Sequence, residues 1–376
     1  MIYLDYAADT PACQAALDAL VGAAQTYGAN PNAIHALGQA ARARLDAATQ
    51  HIAEMLGCRA EEWVLTSGAT EANNMAILGV AHAYRSRGQH IITTHMEHAS
   101  VTGAVMALKA EGYSVDFAQV DAQGQVDTAH LRSLLREDTL LVSVCAVDSE
   151  VGVMQPITAI HEVLAGYPGC RLHVDATQAV GKLPLDLSGA DLFTLSPHKF
   201  YGITGTGMLV VRGGLRLAPL WYGGTGATPY RSGTPALALT LACEAALQEA
   251  LAHLPERLAA VRMLQARLRA GLAALPFVTL NTPADASPYT LNVSVHGLRA
   301  RELIALLSER GVCVSSKSAC CAPAAPSHPV LAMTGDRKRA MNTVRLSLSH
   351  LTTGEEIDSC LRIFTECAHS LEVARG

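Results

Sequence analysis

Seven short apolar runs, most of them separated by helical segments, constrain this chain more than any other feature. They span residues 63–66, 90–94, 114–119, 140–145, 171–174, 192–195 and 207–211. Runs of this length bounded by polar turns read as buried strands. Strand and helix in alternation predict a doubly wound α/β domain with a large, mostly parallel sheet. Helices are predicted over 15–27, 38–56 and about 72–86, with Gly57 closing the second as a C-cap. Near Ala236 the pattern changes. An Ala/Leu/Arg-rich helical stretch runs to about Leu275. After it come strands 278–281, 289–295, 312–315 and 343–348 and helices 301–309 and 354–369, a smaller α+β unit.

The length of 376 residues accommodates one large core and a smaller one. Half of the residues are hydrophobic and 16% are charged, which excludes a disordered chain. A net charge of -5 argues against direct nucleic-acid binding. No apolar stretch reaches the ~18 residues of a membrane span. The start, Met1-Ile2-Tyr3-Leu4-Asp5, lacks the basic segment of a secretion signal. None of the ten cysteines forms a Cys-x-x-Cys pair, so neither a disulfide framework nor a metal site is expected, and the cytoplasm is the expected compartment.

In an open parallel sheet, ligands bind outside the carboxyl ends of the strands. Two runs bring chemistry to that rim. Run 171–174 leads into Asp175, Thr177 and Gln178, and run 192–195 leads into Ser196-Pro197-His198-Lys199. An amine that forms Schiff bases, facing a carboxylate that holds a pyridinium nitrogen, is the protein's half of a pyridoxal phosphate (PLP) site. Of the five lysines, 109, 182, 199, 317 and 338, only Lys199 follows a buried-type strand. Lys109, Lys182 and Lys338 read as solvated charges. Thr66–Asn74 joins a strand to a helix, where Gly68 admits an anion to free N–H groups and Thr70 adds a hydroxyl. A threonine there also serves as an ordinary N-cap. Ser196 and His198 are further phosphate candidates. His98 follows run 90–94, in reach of a ring on the same rim.

Taken in order, these motifs resemble the cysteine desulfurases of the NifS/IscS type, within the class V aminotransferases and the fold type I PLP enzymes. The likeness runs nearly end to end. It takes in Leu4–Pro11, Asn30-Pro31, Thr66–Asn74, Glu97-His98, His173–Gln178, Ser196–Lys199, Arg231–Thr234, Ser318-Ala319-Cys320, Ser327-His328 and Val344–Ser347. The resemblance implies a large domain over residues 13–250. It implies a small one from 1–12 and 251–376, carrying a cysteine loop at about 315–327. It places the Schiff-base lysine at Lys199, the ring-nitrogen carboxylate at Asp175, the ring-hydroxyl contact at Gln178 and the stacking histidine at His98. Ala69, Thr70, Ser149, Ser196 and His198 fall on cofactor-binding positions. Thr234 would come from the other subunit of a homodimer, and Arg345 with Asn30 would hold the substrate carboxylate.

L-cysteine is the implied substrate and Cys320 the persulfide carrier. The implied acceptor is an iron–sulfur scaffold or a tRNA-thiolation enzyme. Cys321 is either a bystander or a second carrier. The chain departs from the family pattern at Asp148-Ser149, where the family has Asn-Asn. It departs again at Lys317, Tyr6, Asp9, Ser349-His350 and the segment before Arg231. These keep open a selenocysteine lyase, or another PLP β-lyase or transaminase, on the same scaffold. A PLP-bound scaffold that only docks a partner is the third reading.

Overall fold

The computed structural model describes residues 1–224, 228–317 and 325–373. In chain order the elements are β1 (Ile2–Tyr3), α1 (Gln14–Thr26), α2 (Ala36–Leu56), β2 (Trp63–Thr66), α3 (Ala69–Ala83), β3 (His90–Thr94), α4 (Ala99–Ala110) and β4 (Ser114–Ala118). There follow α5 (Thr128–Leu134), β5 (Thr139–Cys145), α6 (Ile157–Leu164), β6 (Arg171–Asp175), β7 (Leu192–Leu195), β8 (Gly207–Val211), α7 (Leu237–Ala252) and α8 (Leu254–Ala273). The last are β9 (Val278–Leu280), β10 (Thr290–Val295), α9 (Ala300–Glu309), β11 (Val312–Cys313), α10 (His328–Thr334), α11 (Arg337–Met341), β12 (Thr343–Ser347) and α12 (Gly354–Val373).

Seven strands form one sheet in the order β2-β8-β7-β6-β5-β3-β4. Its ladders are parallel except at β8, which runs antiparallel to both neighbours. The strands are apolar throughout because both faces are covered. Alternate residues enter different cores: Ile91, Leu141 and Leu192 pack under α3 and α4, while Ile92, Val142 and Phe193 face the larger core on the other side. A second, antiparallel sheet has the order β12-β10-β9. The amino terminus joins this region: β1 pairs in parallel with β11, and Asp5 bridges to Ser347.

Three features differ from the sequence reading. The long helix expected up to Leu275 is two helices, α7 and α8, bent by 65° at His253. Pro255 follows the break, and a proline cannot supply the N–H that a continuing helix needs. The short helices α10 and α11 escape periodicity, yet both are capped. Ser327 accepts from Val330 N, and Asp336 accepts from the N–H groups of Lys338 and Arg339. Lys182 is not a solvated charge but buried. It lies in a turn that Gly181 makes with φ 74°, where a Cβ would stand 2.8 Å from Phe200. Among the described residues, no single helix is long and apolar enough to cross a membrane.

Candidate active site

The carboxyl ends of β2, β3, β5, β6 and β7 share one rim, and a cavity of about 460 Å³ opens there. Ala69, Thr70, His98, Ser149, Asp175, Gln178, His198, Lys199 and Arg345 all line it. Lys199 ends a 3-10 turn started by Pro197, directly after β7. Its Nζ donates to the carbonyls of Ala7 (2.9 Å) and Ala8 (2.5 Å). Two residues on, Tyr201 takes φ 70°, the one positive φ of a non-glycine among the described residues. That strain is held by three contacts: Tyr201 N to Thr10 Oγ1, its hydroxyl to Ser349 at 2.6 Å, and Arg257 over its ring.

Asp175 ends β6. Its Oδ1 accepts from Thr177 N (3.0 Å) and its Oδ2 from Asn73 Nδ2 (2.8 Å). His98 caps α4, its Nδ1 accepting from Ser100 N, which leaves Nε2 for the cavity. Burial drives the His98 pKa below the ordinary histidine value against the pull of Asp175, and Lys199 adds to the depression. Its neighbour Glu97 is pushed up to about 8 by burial, which favours its uncharged form. His198 falls to about 4, by burial first and then by Lys199. Ser196 is placed behind His198 and fully buried. The single proton of Ser196 Oγ goes to Thr206 O, so Oγ accepts from His198 Nδ1.

At the far side, α3 presents its amino terminus between Gly68 and Glu71. The approach is tight because Gly207 of β8 lies against Gly68, where a Cβ would come within 2.4 Å of the Gly68 carbonyl carbon. Arg345 lies buried on β12. Its Nη2 meets Asp5 at 2.7 Å and its Nη1 donates to Ser149 O at 3.0 Å, while Nε is buried with no partner. Asn30 and Thr234 do not reach this cavity. They line a separate groove together, between the end of α1 and the start of α7.

These residues fit PLP. Asp175 is fixed by two donors and faces the cavity for a ring nitrogen. The helix terminus at Gly68–Thr70 is suited to a phosphate. The Thr177 hydroxyl and Asn73 Oδ1 are buried polar atoms without partners beside Asp175. Sequence reasoning gave no role to Asn73, although a buried amide inside a helix is itself a signal. It also missed Asp5, which grips Arg345 and accepts from Ser315 Oγ.

The change at Asp148 is structural. Asp148 caps its own turn, accepting from the N–H groups of Glu150, Val151 and Gly152, and it is Ser149 that lines the cavity. Burial and then Glu150 push the Asp148 carboxyl up to about 7, against those three donors. Asp148→Ala is expected to cost about 2–4 kcal/mol, since the buried N–H groups of Glu150 and Val151 lose their acceptor while Gly152 keeps the backbone carbonyl of residue 148. Urea unfolding of the cofactor-free protein measures it.

Cys320 and Cys321 lie outside the described residues. The described chain on either side packs beside residues of the cavity wall. Ser315 pairs with Arg345 backbone to backbone, and Ser327 Oγ donates to Glu150 at 2.6 Å. Lys317 Nζ reaches Ala325 O. Of the eight described cysteines, all free, only Cys145 lines the cavity, and burial raises its thiol well above the usual range.

The aminotransferase class-V family model matches residues 2–360. Cysteine desulfurase IscS of Anaeromyxobacter sp. (strain Fw109-5) is 38% identical over 382 residues, 98% of this chain and 93% of its own. A NifS/IcsS protein homolog of Lactobacillus delbrueckii subsp. bulgaricus is 36% identical over 372 residues, 97% of both chains. Among solved structures, a NifS-like protein has a TM-score of 0.92 at 32% identity, over 98% of this chain and 100% of its own. SspA in complex with cysteine has a TM-score of 0.82 at 30% identity, over 94% of this chain and 100% of its own. A match from residue 2 to residue 360 takes in every wall of the cavity: the chain belongs to the aminotransferase class-V family, alongside the NifS- and IscS-type cysteine desulfurases.

Proposed function

We propose that this protein is a PLP-dependent cysteine desulfurase, which converts L-cysteine to L-alanine and leaves the sulfur as a persulfide on Cys320. One observation carries the reading beyond PLP binding. The described residues that flank Cys320 in the sequence pack beside the cavity: Ser315 pairs with Arg345, which lines it, and Ser327 Oγ donates to Glu150, next in the chain to the lining residue Ser149. A transaminase needs no thiol there.

When bound, PLP supplies the electron sink that acidifies the α-hydrogen of an amino acid and weakens its bond from Cβ to sulfur. Asp175, facing the cavity on two donors, keeps a ring nitrogen protonated. The α3 amino terminus, Ala69 and Thr70 would hold the phosphate, joined by His198, which Ser196 holds at Nδ1 and whose Nε2 would donate once the phosphate charge draws a proton onto it. Arg345 takes the substrate carboxylate, with Asp5 fixing the guanidinium. Lys199 carries the α-proton. His98, neutral at physiological pH with its proton on Nε2, would stack on the ring and can give up and take back that proton.

Cys320 then attacks the substrate sulfur as its thiolate. An S–S bond forms and the S–Cβ bond breaks. The electron pair goes to the carbon fragment, which takes up protons and leaves as alanine. The persulfide passes to an acceptor protein, an iron–sulfur scaffold or a tRNA-thiolation enzyme. We propose a homodimer in which Thr234, away from its own cavity, completes the partner's phosphate site, with Asn30 beside it. The eight described cysteines, all free, support a cytoplasmic setting.

The test is an amino-acid panel scored for alanine, pyruvate and keto acids. Alanine from L-cysteine is the expected product. Turnover of another amino acid with none from cysteine would return the β-lyase or transaminase reading, and preference for selenocysteine would return the lyase.

A further inference from the structure

Lys182 is buried and has no carboxylate partner among the described residues. Its Nζ donates to Gln178 Oε1 at 3.0 Å and stands 5.9 Å from the centre of the Tyr289 ring. The charged groups felt there are both cations, Lys199 and Arg345. A lysine buried without a counterion is costly to keep, and nothing in the proposed chemistry uses it directly. It does not line the cavity.

What it does is fix an amide. Gln178 has two neighbours of opposite kind. Lys182 Nζ, when charged, has only protons to offer this contact, so it faces Oε1. The Ala7 carbonyl can only accept, so it must face Nε2, at 3.0 Å. The orientation of the Gln178 side chain follows from this chemistry without reference to any ligand. The same Ala7 carbonyl accepts from Lys199 Nζ, which sets Gln178 Nε2 and Lys199 side by side at the wall of the cavity.

We infer that Lys182 is a positioning residue that holds the Gln178 amide with its NH₂ toward the cavity, so that Gln178 can only donate to the cofactor there. The inference rests on the PLP reading and concerns how the site receives the phenolic oxygen of the ring. Without Lys182 the amide keeps only the Ala7 carbonyl to fix it, so turning over to present Oε1, an acceptor facing an acceptor, becomes less costly. An oxyanion that loses its donor becomes more basic. The proton shared between it and the imine nitrogen on Lys199 is then held to higher pH.

The experiment is a double-mutant cycle on the PLP-loaded protein, using Lys182→Met, Gln178→Ala and the pair. Two readouts serve: the pH midpoint of the cofactor's visible absorbance and the rate of cofactor loss after dilution. Lys182→Met alone is expected to raise the midpoint by about half a unit to one unit and to speed cofactor loss about tenfold. Gln178→Ala should do the same. In the Gln178→Ala background, Lys182→Met should add less than about twofold, because a residue acting through another has nothing left to act on. A Lys182→Met effect that persists undiminished without Gln178, or no movement of the wild-type midpoint, overturns the inference alone. A wild-type protein that develops no visible band with PLP overturns the reading beneath it as well. Melting of the cofactor-free proteins controls for folding: methionine keeps the apolar stem and removes a charge whose pKa burial has pushed down to about 7. Lys182→Met should therefore melt no lower than wild type at pH 7.

Discussion

Replacing Lys199 by alanine is expected to lower alanine formation from cysteine by about 10⁴-fold, the upper range for a positioned acid–base group, and to remove the covalent hold on PLP. The cavity offers no replacement. Lys182 is turned away to Gln178 and does not line the cavity, and Lys317 spans to Ala325. Lys199→Arg should fail as badly, because guanidinium stays protonated and cannot carry the α-proton away. The fold should hardly notice, since Lys199 Nζ gives up contacts to the backbone carbonyls of Ala7 and Ala8. Absorbance of the PLP-treated variants and single-turnover alanine release measure both parts. A Lys199→Ala protein that turns over cysteine within tenfold of wild type would remove Lys199 from the chemistry.

Replacing Cys320 by alanine should separate the cofactor from the sulfur. The visible absorbance with PLP is expected to stay as in wild type, while sulfide release under thiol reductant falls by about 10³-fold or more, the loss of a nucleophile with no deputy. Cys145 is the described thiol in the cavity wall, and it cannot deputise. Burial raises its pKa and leaves almost no thiolate. Burial likewise raises the thiols of Cys13, Cys58, Cys170, Cys243, Cys360 and Cys367. Cys321→Ala is expected to keep most of the sulfide release. Undiminished release from Cys320→Ala would reject Cys320 as the carrier.

The rim was legible in the sequence because its signals are local. A strand that ends in Asp175 or in Ser196–Lys199 announces both its burial and the cluster that follows. Gly68 and Thr70 mark a helix start in the same way. What stayed hidden depends on residues far apart in the chain. Arg345 is held by Asp5 across 340 positions, and Asn73 reaches Asp175 across 102. Neither pairing leaves a trace in spacing. Lys182 was misread for the same reason. A lysine after Gly181 looks like a surface turn, and only the packing of Phe200 and Tyr289 shows it to be inside. At Asp148-Ser149 the two positions separate in space: one caps a turn and the other lines the cavity. Thr234 and Asn30 fall together in a groove of their own, outside the cavity.

The central claim is that sulfur leaves cysteine for Cys320. The direct measurement is to incubate the PLP-loaded protein with L-cysteine and no reductant, and then to weigh the peptide that holds Cys320 and Cys321 by mass spectrometry. A gain of one sulfur atom, fragmenting to Cys320 and absent from Cys320→Ala, is the expected result. Alanine formed in step with turnover while that peptide keeps its mass, or sulfur found only on Cys321, would contradict it.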